Sequence, residues 1–336
     1  MKTNCIARIQ FQLYVINAIS PHLPALKDEG SLPCPLKGRC FMIEKVKNTK
    51  VNRKEKIKAY IEIIRIPNSF MMGLAVLVGV LIANHEYFLN FRNYLTILSG
   101  FATGFFLTAS SMVFNDYNDR EIDLINQPSR PIPSKRIGER EALSYGILLS
   151  LIGIISSLYT GLYTFAIAIL TFGIALLYNF WGKKTGLIGN FMVSYSVTIP
   201  LIYGAVMINS FTFKIMIFAS MVFLTNTGRE IIKGIADIAG DSVKGIRTIA
   251  VKYGAKRASI VASWFILVAV FLSFIPTITR MTGLLYFILV LAVDGILISS
   301  VLTILNKADK EIALLVKKRI LFAMFLGLIA FSLSFV

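Results

Sequence analysis

The chain has 336 residues, 56% of them hydrophobic, and 35 Lys and Arg against 18 Asp and Glu give a net charge of +17. A soluble domain averages about 45–50% apolar. Here the excess lies in long uninterrupted runs, with a mean hydropathy of +0.70, which excludes an ordinary soluble enzyme; without period-2 alternation a β-barrel is excluded too. The basic residues sit between apolar runs and no nucleic-acid-binding module is visible, so the charge reads as membrane topology and contact with anionic lipid, not as a nucleic-acid partner.

Residues 1–41 are unlike the rest. Pro21, Pro24, Pro33 and Pro35 interrupt any helix, and the apolar stretch from Phe11 to Ile19 is broken by Gln12 and Asn17. A disordered extension is expected there, with translation starting at Met42. Cys5, Cys34 and Cys40 all fall in this segment, at spacings that fit neither a zinc site nor a disulfide framework. Residues 42–60 read as a basic amphipathic lead-in, and residues 61–336 as an all-α, nine-transmembrane-helix bundle.

Runs near the ~20 residues that a span needs lie at about 61–84, 94–114, 142–160, 162–180, 187–208, 212–229, 258–279, 283–305 and 318–336. The loops after the second, fourth, sixth and eighth runs are rich in Lys and Arg, including Arg120, Arg130, Lys183, Lys184, Arg247 and Lys307. The opposite loops hold only Arg92, Lys214 and Arg280. By the positive-inside rule the N-terminus and the basic loops are cytoplasmic, and the C-terminus is external.

Two of the basic loops are also acidic. In the first, Asp116, Asp119 and Asp123 recur at i, i+3, i+7, a spacing that stacks three carboxylates on one helix face. Such a cluster beside a membrane span is costly unless a cation satisfies it. Oxygen donors without nearby His or Cys suit a hard ion such as Mg2+, which usually also binds substrate phosphates. In the second loop Asn226, Glu230, Lys233, Asp237 and Asp241 draw one polar stripe down a helix. Each loop has an acidic pair at i, i+4 followed by an arginine (Arg130, Arg247), so spans one to four and five to eight read as related copies. Two such clusters on one membrane face can bracket a diphosphate, and the apolar bundle supplies a water-poor pocket for a carbocation-like fragment.

Asn115-Asp116-x-x-Asp119-x-x-x-Asp123 with Arg130-Pro131-x-Pro133 resembles the first signature of the UbiA superfamily of intramembrane prenyltransferases, and Asp237-x-x-x-Asp241 resembles the second. Arg65-x-Pro67-Asn68, Tyr178, Lys183 to Gly186, Gly189-Asn190, Arg229 to Lys233 and Gly245 to Thr248 are similar to the archaeal digeranylgeranylglyceryl phosphate synthase subgroup. The sequence departs from that subgroup at Ser134-Lys135, where the subgroup has Ser-Gly; the departure bears on the local turn. The resemblance implies a nine-helix bundle under a cytoplasmic cap, with Mg2+ held by Asn115, Asp116, Asp119, Asp123, Asp237 and Asp241. It implies that those aspartates and Tyr178 are catalytic, and that Arg65, Asn68, Arg120, Arg130, Lys183, Asn190, Arg229, Lys233 and Arg247 bind substrate. It further implies geranylgeranyl diphosphate as donor and the free glycerol hydroxyl of geranylgeranylglyceryl phosphate, a lipid phosphate, as acceptor.

Three other readings stay open on the residues alone: an aromatic acceptor, a secondary transporter using the acids as ion sites, and a scaffold at the cytoplasmic face. Of the remaining polar residues, His85 is expected in an external loop. Glu62 should pair with Arg65 at i, i+3, and Asp294 lies inside the eighth span as either a bundle partner or a site. Tyr195, Tyr203, Trp181 and Trp264 read as packing or interfacial residues, and Lys256 and Arg257 as topology charges.

Overall fold

Lipid offers the backbone no hydrogen-bond partners, so apolar runs of this length become helices. The computed structural model describes residues 52–243 and 245–334, which belong to a unit spanning Val51–Val336. The expected 1–41 extension, the Met42 start, the cysteines and the first part of the lead-in lie outside the described residues. The lead-in continues as α1 (Arg53–Ile63), capped by Asn52 and burying Ala59 and Ile63. Long helices follow: α2 (Ile66–Ala83), α3 (Tyr94–Asn118), then after short α4 (Arg120–Asn126), α5 (Glu139–Thr160), α6 (Leu162–Phe180), α7 (Leu187–Met207) and α8 (Phe213–Ala236). Short α9 (Ile238–Val243) and α10 (Ile249–Tyr253) lead to α11 (Ala255–Ser273), α12 (Leu284–Asn306) and α13 (Lys310–Ser332).

Among the described residues, α2, α3, α5, α6, α7, α8, α11 and α12 lie in the eight segments long and apolar enough to cross a membrane. The ninth long helix, α13, carries Lys317, Lys318 and Arg319 in its first half, so the expected count of nine spans rests on a helix of mixed character. The helical path also outruns the apolar runs. The third and eighth helices extend beyond the expected ends at 114 and 229 to Asn118 and Ala236. Those added turns carry Asn115, Asp116, Glu230 and Lys233.

The helices close around a central space. α3 packs along α2 and α5, α7 against α2, α6 and α8, α8 against α11 and α13, and α13 returns to α2. Close crossings use small residues, as expected where lipid supplies no hydrophobic drive between helices. A Cβ on Gly79 of α2 would strike the Leu201 carbonyl of α7, and one on Gly204 of α7 would strike the Val76 carbonyl. Ser110 of α3 donates to the Gly146 carbonyl of α5 at 2.8 Å. Exposed Leu162, Phe271 and Leu284 face outward, where a bilayer takes the place of water.

Candidate active site

The two acidic motifs share one local architecture. A long helix ends at an aspartate and a short helix continues: α3, Asp119, α4, and α8, Asp237, α9. Helical hydrogen bonding crosses both breaks, from Asp123 N to Asp119 O at 2.8 Å and from Asp241 N to Asp237 O at 2.9 Å. The expected stacking therefore holds for Asp116 and Asp123, which share one cation. Arg130 Nη1 lies 2.6 Å from Asp123 Oδ2 and 3.3 Å from Asp116 Oδ1. Asp119, at the break, turns instead to Lys183 Nζ at 2.6 Å.

Asp116 is 3% exposed and takes a second cation, Arg65 Nη2, at 2.6 Å. Arg65 caps α2 from a left-handed backbone with φ 47°, ahead of Pro67. A non-glycine residue seldom adopts that conformation, and it persists where surrounding contacts over-determine it. The Asn115 amide lies 3.0 Å from Asp119 Oδ2 and 3.2 Å from Lys183 Nζ, which places its nitrogen on the carboxylate and its oxygen on the ammonium. Asn179 stands 3.1 Å from the same amide, with one amide atom buried and unpartnered among the described residues.

The second motif is organised around a buried carboxylate, Glu230. Arg229 Nη1 lies 2.6 Å from one of its oxygens and Lys233 Nζ 3.0 Å from the other. Beyond the helix end, Asp237 is exposed and Asp241 half-buried. The Tyr178 hydroxyl lies within electrostatic range of Asp119 from the first motif and of Lys233, Glu230 and Asp241 from the second. Both motifs thus border one residue.

Tyr178 also lines a cavity of about 480 Å3. Its polar end is formed by Arg65, Asn68, Asn115, Asn179, Arg229, Glu230 and Lys233. Its shaft is mostly apolar, walled by side chains such as Met72, Phe172, Leu201, Val293 and Leu328, with one buried carboxylate, Asp294, which accepts from Ser273 at 2.6 Å. A charged head group joined to a hydrocarbon tail matches that shape.

The UbiA prenyltransferase family model matches residues 72–334. The chain belongs to the UbiA prenyltransferase family. A digeranylgeranylglyceryl phosphate synthase from Korarchaeum cryptofilum is 37% identical over 285 residues, covering 83% of this chain and 98% of the relative. Its namesake from Methanocaldococcus jannaschii is 34% identical over 278 residues, 82% and 96% of the two chains. Among solved structures, one of digeranylgeranylglyceryl phosphate synthase in membranes superposes with a TM-score of 0.70 at 33% identity, covering 83% and 98%. A UbiA homologue from Archaeoglobus fulgidus bound to GPP and Mg2+ shares the fold, with a TM-score of 0.59 at 16% identity over 82% and 99% of the chains. This UbiA-family chain is a multi-pass membrane prenyltransferase.

In this family member the expected site residues separate into four groups. Arg65, Asn68, Asn115, Tyr178, Arg229 and Lys233 line the cavity; Asp116, Asp119, Asp123, Arg130 and Lys183 form the paired array behind its polar end. Asp237 and Asp241 follow the end of α8. The remaining three are not brought to the cavity wall. Arg120 stacks on Tyr117 and pairs with Glu139 at 3.1 Å. Asn190 is half-buried in the first turn of α7. Arg247 is exposed, and its carbonyl packs so closely on Gly186, at φ +66°, that a Cβ there would strike it.

Glu62 pairs with Arg136 at 2.7 Å, not with Arg65 as the i, i+3 spacing led us to expect. Arg65 is drawn away because Asp116 is buried and Glu62 is 42% exposed, so the buried carboxylate has more to lose without a cation. Glu62 in turn raises the Arg136 guanidinium further above neutral pH by its hydrogen bond. Asn179, directly after Tyr178, and the Glu230 carboxylate, on the polar stripe, also line the cavity, and neither is among the site residues expected from the sequence.

Proposed function

We propose that this prenyltransferase moves a geranylgeranyl group from geranylgeranyl diphosphate to the free glycerol hydroxyl of geranylgeranylglyceryl phosphate, in ether-lipid synthesis of the archaeal type. The names of its relatives support that substrate pair, and so does one observation on the chain itself: a cavity with a cationic end and an apolar shaft, bordered by both acidic motifs.

On this reading the shaft holds the isoprenyl tail in a dry environment, while Arg65, Arg130 and Lys183 face the diphosphate oxygens. Asn115, Asp116, Asp119, Asp123, Asp237 and Asp241 form the metal-ligand set. Their donors are all oxygen, which fits Mg2+. Among the described residues no three acidic or imidazole groups converge on one point; an ion held by one or two carboxylates plus diphosphate oxygens needs no such cage. When bound, Mg2+ neutralises the charge that builds on the diphosphate as its C–O bond breaks. Tyr178 and Asn68 flank the reacting carbon, where an aromatic face stabilises cationic character. The glycerol oxygen bonds to that carbon, its proton is lost, and diphosphate leaves. The basic loops support a cytoplasmic location for this chemistry.

The test is an assay of the purified protein in lipid nanodiscs with labelled geranylgeranyl diphosphate, offered either the lipid phosphate or an aromatic quinone precursor. The expected product is the doubly alkylated glycerophosphate. Label found only on the aromatic acceptor would overturn the assignment.

A further inference from the structure

The two charged arrays at the cavity mouth differ in balance. In the first, Asp116, Asp119 and Asp123 are matched by Arg65, Arg130 and Lys183, three acids to three cations. In the second, Asp237 and Asp241 lie past the end of α8, and the buried carboxylate of Glu230 faces three cations: Arg229, Lys233 and, from α13, Lys317, which lies in its electrostatic range. Immediately around Glu230 that is a local surplus of two positive charges, with Asp237 and Asp241 left to the metal set beyond the helix end.

The placement of Lys317 follows from helix geometry. Lys317, Lys318 and Arg319 are consecutive, yet Lys317 is half-buried while its two neighbours are exposed. Lys317 lies one turn before Leu321, which lines the cavity, and residues i and i+4 share a helix face. Among the described residues Lys317 has no hydrogen bond or ion pair as close as those of Arg229 and Lys233. The Nε of Arg229 is buried and also lacks a hydrogen-bond partner. A cation-rich pocket with an unused guanidinium donor and an inward lysine is built for an anion that the chain does not itself supply.

We propose that Arg229, Lys233 and Lys317 form the subsite for the phosphate monoester of the acceptor, with Lys317 a substrate-binding residue and Glu230 the buried post that positions the three cations. This rests on the reading given under Proposed function. The charge argument separates the two substrates. A phosphate monoester carries close to two negative charges near pH 7, which the surplus offsets without a metal. The metal-bound diphosphate, with much of its charge already neutralised, suits the balanced array. Tyr178, within range of both arrays, stands where the free hydroxyl of a phosphate-anchored glycerol meets the donor carbon.

The experiment measures steady-state kinetics of the full chain in nanodiscs for wild type, Lys317→Gln, Lys317→Arg and Lys318→Gln, each checked for an unchanged melting temperature. Acceptors are geranylgeranylglyceryl phosphate and its phosphate-free alcohol. Lys317→Gln should raise KM for the phosphate acceptor about tenfold or more, the scale of one lost charge-assisted hydrogen bond. It should leave KM for geranylgeranyl diphosphate and the rate with the alcohol nearly unchanged. Lys317→Arg should restore much of the loss, and Lys318→Gln should behave as wild type. A rise confined to the diphosphate KM, equal losses with both acceptors, or no change at all would overturn the subsite. A wild-type protein inert toward the phosphate acceptor would instead overturn the functional reading beneath it.

Discussion

Lys183 Nζ lies 2.6 Å from Asp119 Oδ2, joining residues 64 apart in sequence. The lysine comes from the turn after α6 and the aspartate from the break between α3 and α4. Both side chains are about a quarter exposed, at 23% and 24%, so the pair itself adds little stability, roughly 1 kcal/mol or less. Asp119→Ala should therefore lower turnover at least ~100-fold with a melting temperature close to wild type. A well-folded variant with a near-normal rate would count against the assignment. Asp116→Ala should behave differently: Arg65 loses its carboxylate there while Arg130 keeps Asp123, and the melt should report a loss of about 1.5–3 kcal/mol.

Metal dependence is checked by removal. EDTA should stop the reaction and added Mg2+ should restore it, since the acidic donors are oxygen only. Calorimetric titration of geranylgeranyl diphosphate should show tight binding with Mg2+ and weak binding after chelation. Equal binding in both conditions would leave the carboxylates without a metal role.

The turn after Arg130 contains a residue in a conformation suited to glycine. Lys135 has φ 61°, and this is where the sequence carries Lys in place of the subgroup's Gly. The turn holds regardless: Ser134 Oγ donates to the Arg130 carbonyl at 2.6 Å and accepts from Arg136 Nε at 3.0 Å. The exposed lysine side chain adds no packing to offset its backbone strain. Lys135→Gly should stabilise the protein by about 0.5–1 kcal/mol, read as a higher melting temperature with activity retained. A lower melting temperature would refute the account.

The α2–α7 crossing depends on absent side chains. At Gly79 and Gly204 a methyl group would meet backbone carbonyls, which cannot swing aside as a flexible side chain would. Gly204→Ala should cost about 1–3 kcal/mol. Because Leu201 of α7 and Ala75 of α2 both line the cavity, it should also lower activity. Thermal melts and turnover in the same detergent check both, and an unperturbed melt would show that the helices can separate freely.

Much of this protein is legible along the chain, because the relevant physics is local. Apolar runs longer than a bilayer is thick must become helices, and the acids at three- and four-residue steps fall on one face of a helical path. That much exposed both aspartate motifs and the family they resemble. What no local rule contains is the choice of partner across helices. Glu62 and Arg65 are near neighbours in sequence, yet the buried carboxylate of Asp116 takes the arginine and Glu62 turns to Arg136. Arg120 pairs with Glu139 and Arg247 is exposed, so neither lines the cavity. Asn179 and Glu230 matter through what surrounds them. Burial and the approach of separate helices set the cost of an unpaired charge, and only the packed bundle defines either one.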